Sequence, residues 1–502
     1  MSVLSIKKHK WKIITAFVLI ALYFFTRLVS LTQLPIFVDE AIYLRWAQIA
    51  KNDANWRFIS LTDGKQPLYV WLTMVMMKLI KDPMVAGRFV SVLAGLGSMI
   101  TIWVVSHFLF KSYRLAFLAA FLYLIFPFAL VYDRMALMET TVGFFSVLSL
   151  LFGILLVKTL RLDVTLLLGG VLGGGILTKT SGFLSIYFLP LTLFLFDWKD
   201  KKRLFKLLKW AGLALLAVII SQAIYCILRL SPFFHIISQK DAFFVHPFKE
   251  WITHPFYFLK SNFQGLFDWL IGYLSWPLFL LAIGSLILVK QKIREKILLF
   301  LWFLAPFSGL VVFGKTLYPR FIFFMALPLL ILVAWSLEKI FQKIKKAWLF
   351  ALVCLLFLAW PLSIDFQLLF HPSKASIPQP DKEQYITSWP AGYGVKEIVA
   401  FANKKAKDGK IFIATEGTFG LMPSSLELYL WDHPNVEIKG FFPVEKIPEE
   451  VLEKAKIMPT YFVFNETIQV PGNFPLKLIA EYPRPDPRYS MRLYQVLSSA
   501  LK

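Results

Sequence analysis

The chain has 502 residues, of which 58% are hydrophobic and only 17% charged, against roughly 25% charged in an average soluble domain. Apolar runs of about 20 residues recur over the first three quarters, which excludes a soluble globular protein and defines a polytopic membrane protein. The net charge of +23 does not point to nucleic acid, because the basic residues sit in short loops between apolar runs, where Lys and Arg set topology. Cys226 and Cys354 both lie within apolar runs and provide neither a disulfide framework nor a CxxC metal site.

In chain order, "KKHKWK" followed by residues 13–31 has the look of a signal peptide. The apolar run is too long for an h-region and no small-x-small site follows, so it reads as an uncleaved first span over 11–30. Further spans are predicted at 84–110, 115–131, 138–157, 164–178, 181–197, 207–228, 268–289, 297–313, 320–337 and 347–364, making eleven. The pair 164–178 and 181–197 is short, which leaves a re-entrant hairpin open. The loops "KSYR", "KTLRLD", "KDKKRLFKLLK", "KQKIREK" and "EKIFQKIKK" are short and basic and, with the N-terminus, define a cytoplasmic face. Loop 31–83, the turn "YDRMALME", loop 229–267, "GKTLYPR" and everything after residue 365 then fall outside. "LYVWLTMVMMKLI" (68–80) is too short to span and reads as a helix lying flat at the interface, as does 246–260.

After residue 365 the character changes. "HPSKASIPQPDKEQ" is a Pro-rich linker, and helices over "GVKEIVAFANKKAKDGK", "SSLELYLW" and "PEEVLEKAK" alternate with strands over "IFIAT", "VEIKGF", "TYFVFN", "LKLIAEY" and "SMRLYQV". This pattern predicts a small α/β domain with a partly parallel sheet. The expected division is a transmembrane unit over 1–364 and an extracytoplasmic α/β domain over 365–502. No GxGxxG follows a strand and no P-loop occurs, so nothing predicts a nucleotide.

Polar groups are costly in such a chain, so their positions inform. Asp39, Glu40, Lys65, Arg88, Asp133, Arg134, Glu139, Lys179, Tyr318 and Arg320 come from distant stretches, yet the topology brings all of them to the outer membrane surface. Carboxylates and cations at one depth suit a site that deprotonates a nucleophile and stabilises a phosphate. Simpler readings compete: Asp39 as an N-cap with Glu40 in the first turn, Lys65 as a solvated turn residue in "DGKQP", Arg88 and Arg134 snorkelling to headgroups. Glu139 and Lys179, each interrupting apolar sequence, are harder to treat as filler. The glycines at 169, 170, 173, 174 and 175 favour close helix packing over phosphate binding. "NET" at 465–467 matches a glycosylation sequon by chance.

The pieces "VDEAIYLRWA", "DGKQPLYVWL", "GRFVSVLAGL", "YDRMALMETTVGFF", "ILTKTSG" and "YPRFIFFMALP" occur in this order over most of residues 1–335. Together they resemble the integral-membrane GT-C glycosyltransferases, in the group of the protein O-mannosyltransferases and the bacterial lipid A aminoarabinose transferase. The resemblance implies a multi-pass cell-membrane enzyme with a cytoplasmic N-terminus, which takes a sugar from a polyprenyl-phosphate donor on the outer face. It implies roles for Asp39 at the acceptor, for Glu139 as the second carboxylate, and for Lys65 at the lipid phosphate. The sequence departs from the pattern in "GKQP", in "LTKTSG" and in carrying Glu rather than Asp at 139. The C-terminal domain is also not the β-trefoil inserted in eukaryotic protein mannosyltransferases.

The chemistry of the residues fits. No D-x-D occurs to grip a metal–diphosphate, and a lipid monophosphate leaves without a general acid if fixed cations receive it. The expectation is an inverting displacement with Asp39 as base and Glu139 orienting acceptor or sugar. Glu40, Tyr43 and Asp133 are placed on the acceptor or sugar, and Lys65, Arg88, Arg134, Lys179, Tyr318 and Arg320 around the lipid phosphate. No cofactor or metal ligand is assigned, although two carboxylates leave a divalent ion open. The acceptor is a protein, a lipid or an envelope glycan. The rival reading is a lipid or sugar transporter, which repeated halves and charges near the midplane would mark; neither is evident.

Overall fold

The computed structural model describes residues 3–254, 256–287 and 290–497, with side chains from residue 10 onward. Helices α1 (Val3–Leu28), α2 (Val38–Asn52), α3 (Leu68–Met76), α4 (Pro83–Phe110), α5 (Tyr113–Leu124), α6 (Pro127–Asp133), α7 (Met138–Thr159) and α8 (Leu162–Thr178) form the first part of the chain. Among the described residues, seven helices are long and apolar enough to cross a membrane, and nine if each of two bent pairs is one span. The bent pairs are α5 with α6, at 60°, and Leu259–Leu274 with Trp276–Ile287, at 102°. The first bend falls where Pro127 forces Phe126 into extended backbone. The second falls at Ser275, whose φ of +70° ends the preceding helix.

This corrects the expected straight span at 268–289. Its helix begins nine residues earlier, at Leu259, and turns sharply at Ser275; Leu288 and Val289 lie outside the described residues. The pair expected at 164–178 and 181–197 is present as two apolar segments, Leu162–Thr178 and Thr180–Leu195, each too short to count among the spans. Helix α3 covers most of the stretch expected to lie flat. Of residues 246–260, only Phe248–Thr253 and the start of the next helix are helical.

Of the five glycines of α8, Gly169, Gly173 and Gly174 pack closely, while Gly170 faces open space and Gly175 makes ordinary contacts. A Cβ on Gly169 would stand 2.7 Å from Ile220, on Gly173 2.6 Å from Ile224, and on Gly174 2.4 Å from Phe145. Only hydrogen fits there, so α8 lies against its neighbours and delivers Lys179 at its C-terminal end.

Helix Ala347–Phe370 runs six residues beyond 364, and the chain then folds back on the membrane unit. Val38 N–H donates to the Pro390 carbonyl at 3.2 Å, and Gly392 N–H to that of Ile36 at 2.8 Å. These bonds fix the start of α2. Beyond them a five-stranded sheet has β1 (Ile411–Glu416), β2 (Val436–Phe441), β3 (Thr460–Phe464), β4 (Leu476–Pro483) and β5 (Ser490–Val496). Its order is β2-β1-β3-β5-β4, with β1 parallel to both β2 and β3 and with β5 antiparallel to both β3 and β4. Every strand and helix expected in this part forms.

Candidate active site

The Asp-Glu pair at the start of α2 splits into two environments, as neighbours about 100° apart on a helix must. Glu40 is fully buried. Its carboxylate receives Arg88 Nε at 2.8 Å and Nη2 at 2.7 Å, the Ala136 N–H at 2.6 Å and the Phe37 N–H at 3.0 Å. Arg88 spends its other donors on the carbonyls of Leu31, Leu34 and Pro35. This ion pair therefore ties α2, α4 and the 134–137 turn together. Glu40 is not placed to bind a sugar, and Arg88 has no donor left for a phosphate.

Asp133 and Arg134 are likewise internal. Asp133 accepts from Arg27 Nε at 3.2 Å and from the hydroxyls of Tyr23 and Tyr123 at 3.1 Å each. Arg134 caps the end of α1, donating to the carbonyls of Thr26, Val29 and Ser30. Both side chains are engaged inside the protein and neither lines the cavity described below, which sets these two residues apart from the expected sugar and phosphate contacts. The sequence could not separate them from the site, since depth alone placed them there.

Asp39 faces the other way. Its side chain is 23% exposed and its Oδ2 receives Arg320 Nη1 at 2.7 Å. Arg320 Nε stands 3.9 Å from Glu139 Oε1, and Glu139 accepts from Lys179 Nζ at 2.7 Å. Four residues separated by up to 281 positions thus form one chain, Asp39–Arg320–Glu139–Lys179. Arg320 Nε, the inner donor of the guanidinium, has no hydrogen-bond partner among the described residues. Burial opposes ionisation of Asp39, but Arg320 and then Lys65 outweigh it and hold the carboxyl below its usual range.

Arg320, Glu139 and Lys179 border a cavity of about 450 Å³, and Asp39 reaches it through its bond to Arg320 rather than as a lining residue. Lys65, Glu139, Lys179, Arg320 and Tyr43 line it, with Gln66, Lys240 and Asp241, which the sequence reading did not single out. Apart from Thr180, Ser181 and Tyr187, the rest of its wall is apolar, including Phe183, Leu184, Phe244, Leu310, Phe313 and Phe321. Gln66 donates to Thr180 Oγ1 at 2.6 Å, joining the two loops that carry Lys65 and Lys179. Lys240 pairs with Asp63 at 2.6 Å.

Among the described residues Lys65 has no carboxylate partner; its Nζ lies 5.3 Å from the centre of the Phe244 ring. Burial, with Lys179, Arg320 and Lys240 nearby, lowers it to about 8 despite the opposing pull of Asp39. Tyr318 does not line the cavity but lies under the Arg320 guanidinium at 4.9 Å. Asn465 of the sequon is 2% exposed and its Oδ1 accepts from Arg484, so it presents no amide to modify. Among the described residues, no group of three or more His, Cys, Asp or Glu side chains is arranged to hold a metal ion.

A multi-pass helical membrane unit, an amphiphilic cavity at its surface and a small five-stranded sheet together have the fold of the integral-membrane GT-C glycosyltransferases. Residues 64–225 match the model of the dolichyl-phosphate-mannose-protein mannosyltransferase family, a stretch that carries Lys65, Glu139 and Lys179. Among solved structures, the chain resembles ArnT from Cupriavidus metallidurans in its apo state, with TM-score 0.59 and 14% identity, over 98% of this chain and 99% of that one. The same enzyme bound to undecaprenyl phosphate gives 0.58 at 14% identity. The oligosaccharyltransferase AglB from Archaeoglobus fulgidus, in complex with an inhibitory peptide and a dolichol-phosphate, gives 0.52 at 14% identity over 91% of this chain and 70% of that one. No curated protein sequence matches the chain.

Proposed function

We propose that this protein is a glycosyltransferase that moves a sugar from a polyprenyl-phosphate donor to an acceptor at the outer face of the membrane. The observation that carries this reading is the half-buried Lys65, without a carboxylate partner among the described residues, set with Lys179 and Arg320 around a cavity whose remaining wall is mostly apolar. Cations at one part of an otherwise greasy hollow suit a lipid monophosphate: the phosphate meets fixed charge and the chain meets Phe and Leu. That the similar structures include one bound to undecaprenyl phosphate and one to dolichol-phosphate supports the same donor class.

In this mechanism the acceptor hydroxyl or amine attacks the anomeric carbon as the bond to the phosphate oxygen breaks, with inversion. The acceptor's proton passes to Asp39. The departing lipid phosphate keeps the bonding electron pair and is stabilised by Lys65, Lys179 and Arg320, so no general acid is required. Asp39 suits the base because its Arg320 partner keeps it ionised while one side remains open. Glu139, held by Lys179, sits where it can orient the sugar, and Tyr43 lines the same wall. The sheet-bearing C-terminal part lies outside the membrane in this arrangement, with the N-terminus cytoplasmic.

Mass spectrometry of lipids that copurify tests the donor: a polyprenyl phosphate or its sugar ester is expected with the wild type and not with Lys65→Ala. Copurification of the same lipid at the same level with both would overturn the cavity assignment.

A further inference from the structure

A second hollow, of about 550 Å³, lies in the C-terminal part, far from the cavity just described. It forms at one end of the sheet, where β1 and β3 begin, β5 ends and β4 begins, as the strand directions require. The other end of β1, at Glu416, leads into the loop that touches the membrane unit, where a Cβ on Gly420 would be 3.7 Å from Val38. The six residues of β1 therefore set the hollow about 20 Å further from the α2 entrance.

Three separate segments bring lysines to its rim: Lys405 from the end of helix Val395–Lys405, Lys410 from the turn before β1, and Lys477 from β4. Asp408 is the one acidic group lining it, and Phe401, Tyr461 and Ile479 supply an apolar floor. Among the described residues none of these three lysines has an ion-pair partner. Elsewhere in the same part some lysines are paired (Lys439 with Glu450, Lys454 with Glu437, Lys456 with Glu453, each at 2.6 or 2.7 Å), while others, such as Lys407 and Lys446, have no ion-pair partner among the described residues; what sets these three apart is that they line one hollow. A helix C-terminus accounts for Lys405, and an edge strand for Lys477. Neither accounts for Lys410, nor for all three facing one concave surface.

We infer that this hollow binds an anionic glycan, a saccharide or polyol chain carrying phosphate or carboxylate groups. Unpaired ammonium groups spread around an open trough match charges repeated along a chain better than one small ion. The apolar floor suits the carbon faces of the repeating units. The site is independent of sugar transfer and stands whether or not Asp39 is a base.

The test uses the full chain in lipid nanodiscs and measures binding of three labelled probes: oligogalacturonate, a glycerol-phosphate oligomer and neutral dextran. Either or both anionic probes bind, more weakly as salt rises, and dextran does not. The triple variant K405E/K410E/K477E, all at exposed positions, weakens this binding at least tenfold. A control variant, K199E/K201E/K202E in a basic loop of the membrane unit, and Asp39→Asn both bind like the wild type. Equal binding by the triple variant and wild type, equal loss in the loop variant, or equal binding of dextran would each overturn the inference.

Discussion

Arg320 holds Asp39 through a 2.7 Å bond from Nη1 to Oδ2, while its Nε, without a hydrogen-bond partner among the described residues, stands 3.9 Å from Glu139. The guanidinium is thus shared between two carboxylates and has donor capacity left for a third anion. If Asp39 takes the acceptor proton, Asp39→Asn should lower the rate of transfer from a radiolabelled polyprenyl-phosphate sugar by about 10²–10⁴-fold, the usual range for a lost base. Lipid binding should change by no more than a few-fold, since Arg320 remains. Unchanged turnover in Asp39→Asn would refute the role of this carboxylate.

Lys65 predicts a pH dependence of donor binding. With its free value near 8, it loses charge as pH rises through 8, and a phosphate arriving beside it raises that value again. Binding of polyprenyl phosphate at pH 8 should therefore take up roughly half a proton, seen by calorimetry in buffers of different ionisation enthalpy. Affinity should fall between about pH 7 and 9.5, and Lys65→Arg should flatten that fall, because a guanidinium stays charged. An equally steep dependence in Lys65→Arg would assign the titration to another group.

The Glu40–Arg88 pair predicts a stability effect without a specific effect on chemistry. Both side chains are fully buried, and each satisfies backbone groups on other elements. Removing one leaves the other charged and unpaired, at a cost of about 3–5 kcal/mol. Glu40→Gln and Arg88→Met should each lower the melting temperature in detergent, and the double variant should lose less than the two single losses added together. Full additivity would show that the two groups do not act as a pair.

Much of this was legible in the sequence, and the exceptions have physical causes. Hydropathy located each apolar segment and strand alternation located the sheet, because burial imposes those periods directly. The break at Ser275 was missed although Pro277, the second residue of the following helix, is a helix-start signal. The expected shared depth put Asp39, Lys65, Glu139, Lys179 and Arg320 together, and the structure brings these five near one cavity. Depth also gathered Glu40, Arg88, Asp133 and Arg134, which share that depth but turn inward. Only side-chain direction separates an internal ion pair from a cavity wall, and direction depends on which helices pack together. Lys240 and Asp241 were missed because loop 229–267 has no strong periodicity; two adjacent charges inside "HIISQKDAFF" were the available signal.

Asp381 provides the last prediction. It is fully buried where the chain folds back on the membrane unit, and its Oδ2 accepts from the hydroxyls of Tyr132 at 2.7 Å and Tyr273 at 2.6 Å. Its Oδ1 has no hydrogen-bond partner among the described residues. Burial raises this carboxyl to about 7, against the opposing effect of the two tyrosine bonds. Because the folded value lies above the ordinary 3.8, the folded state holds the extra proton between those limits. Stability should therefore fall as pH rises through that window and level off above 7, with a total cost on the order of a few kcal/mol. Asp381→Asn keeps an acceptor for the tyrosines but cannot ionise, and its amide replaces the unpartnered oxygen at some cost of its own. The variant should be no more stable than the wild type near pH 5, and should gain on it steadily toward pH 8. Melting curves of both proteins in the same detergent across that range decide the matter. A constant gap between the two would mean that Asp381 does not titrate there.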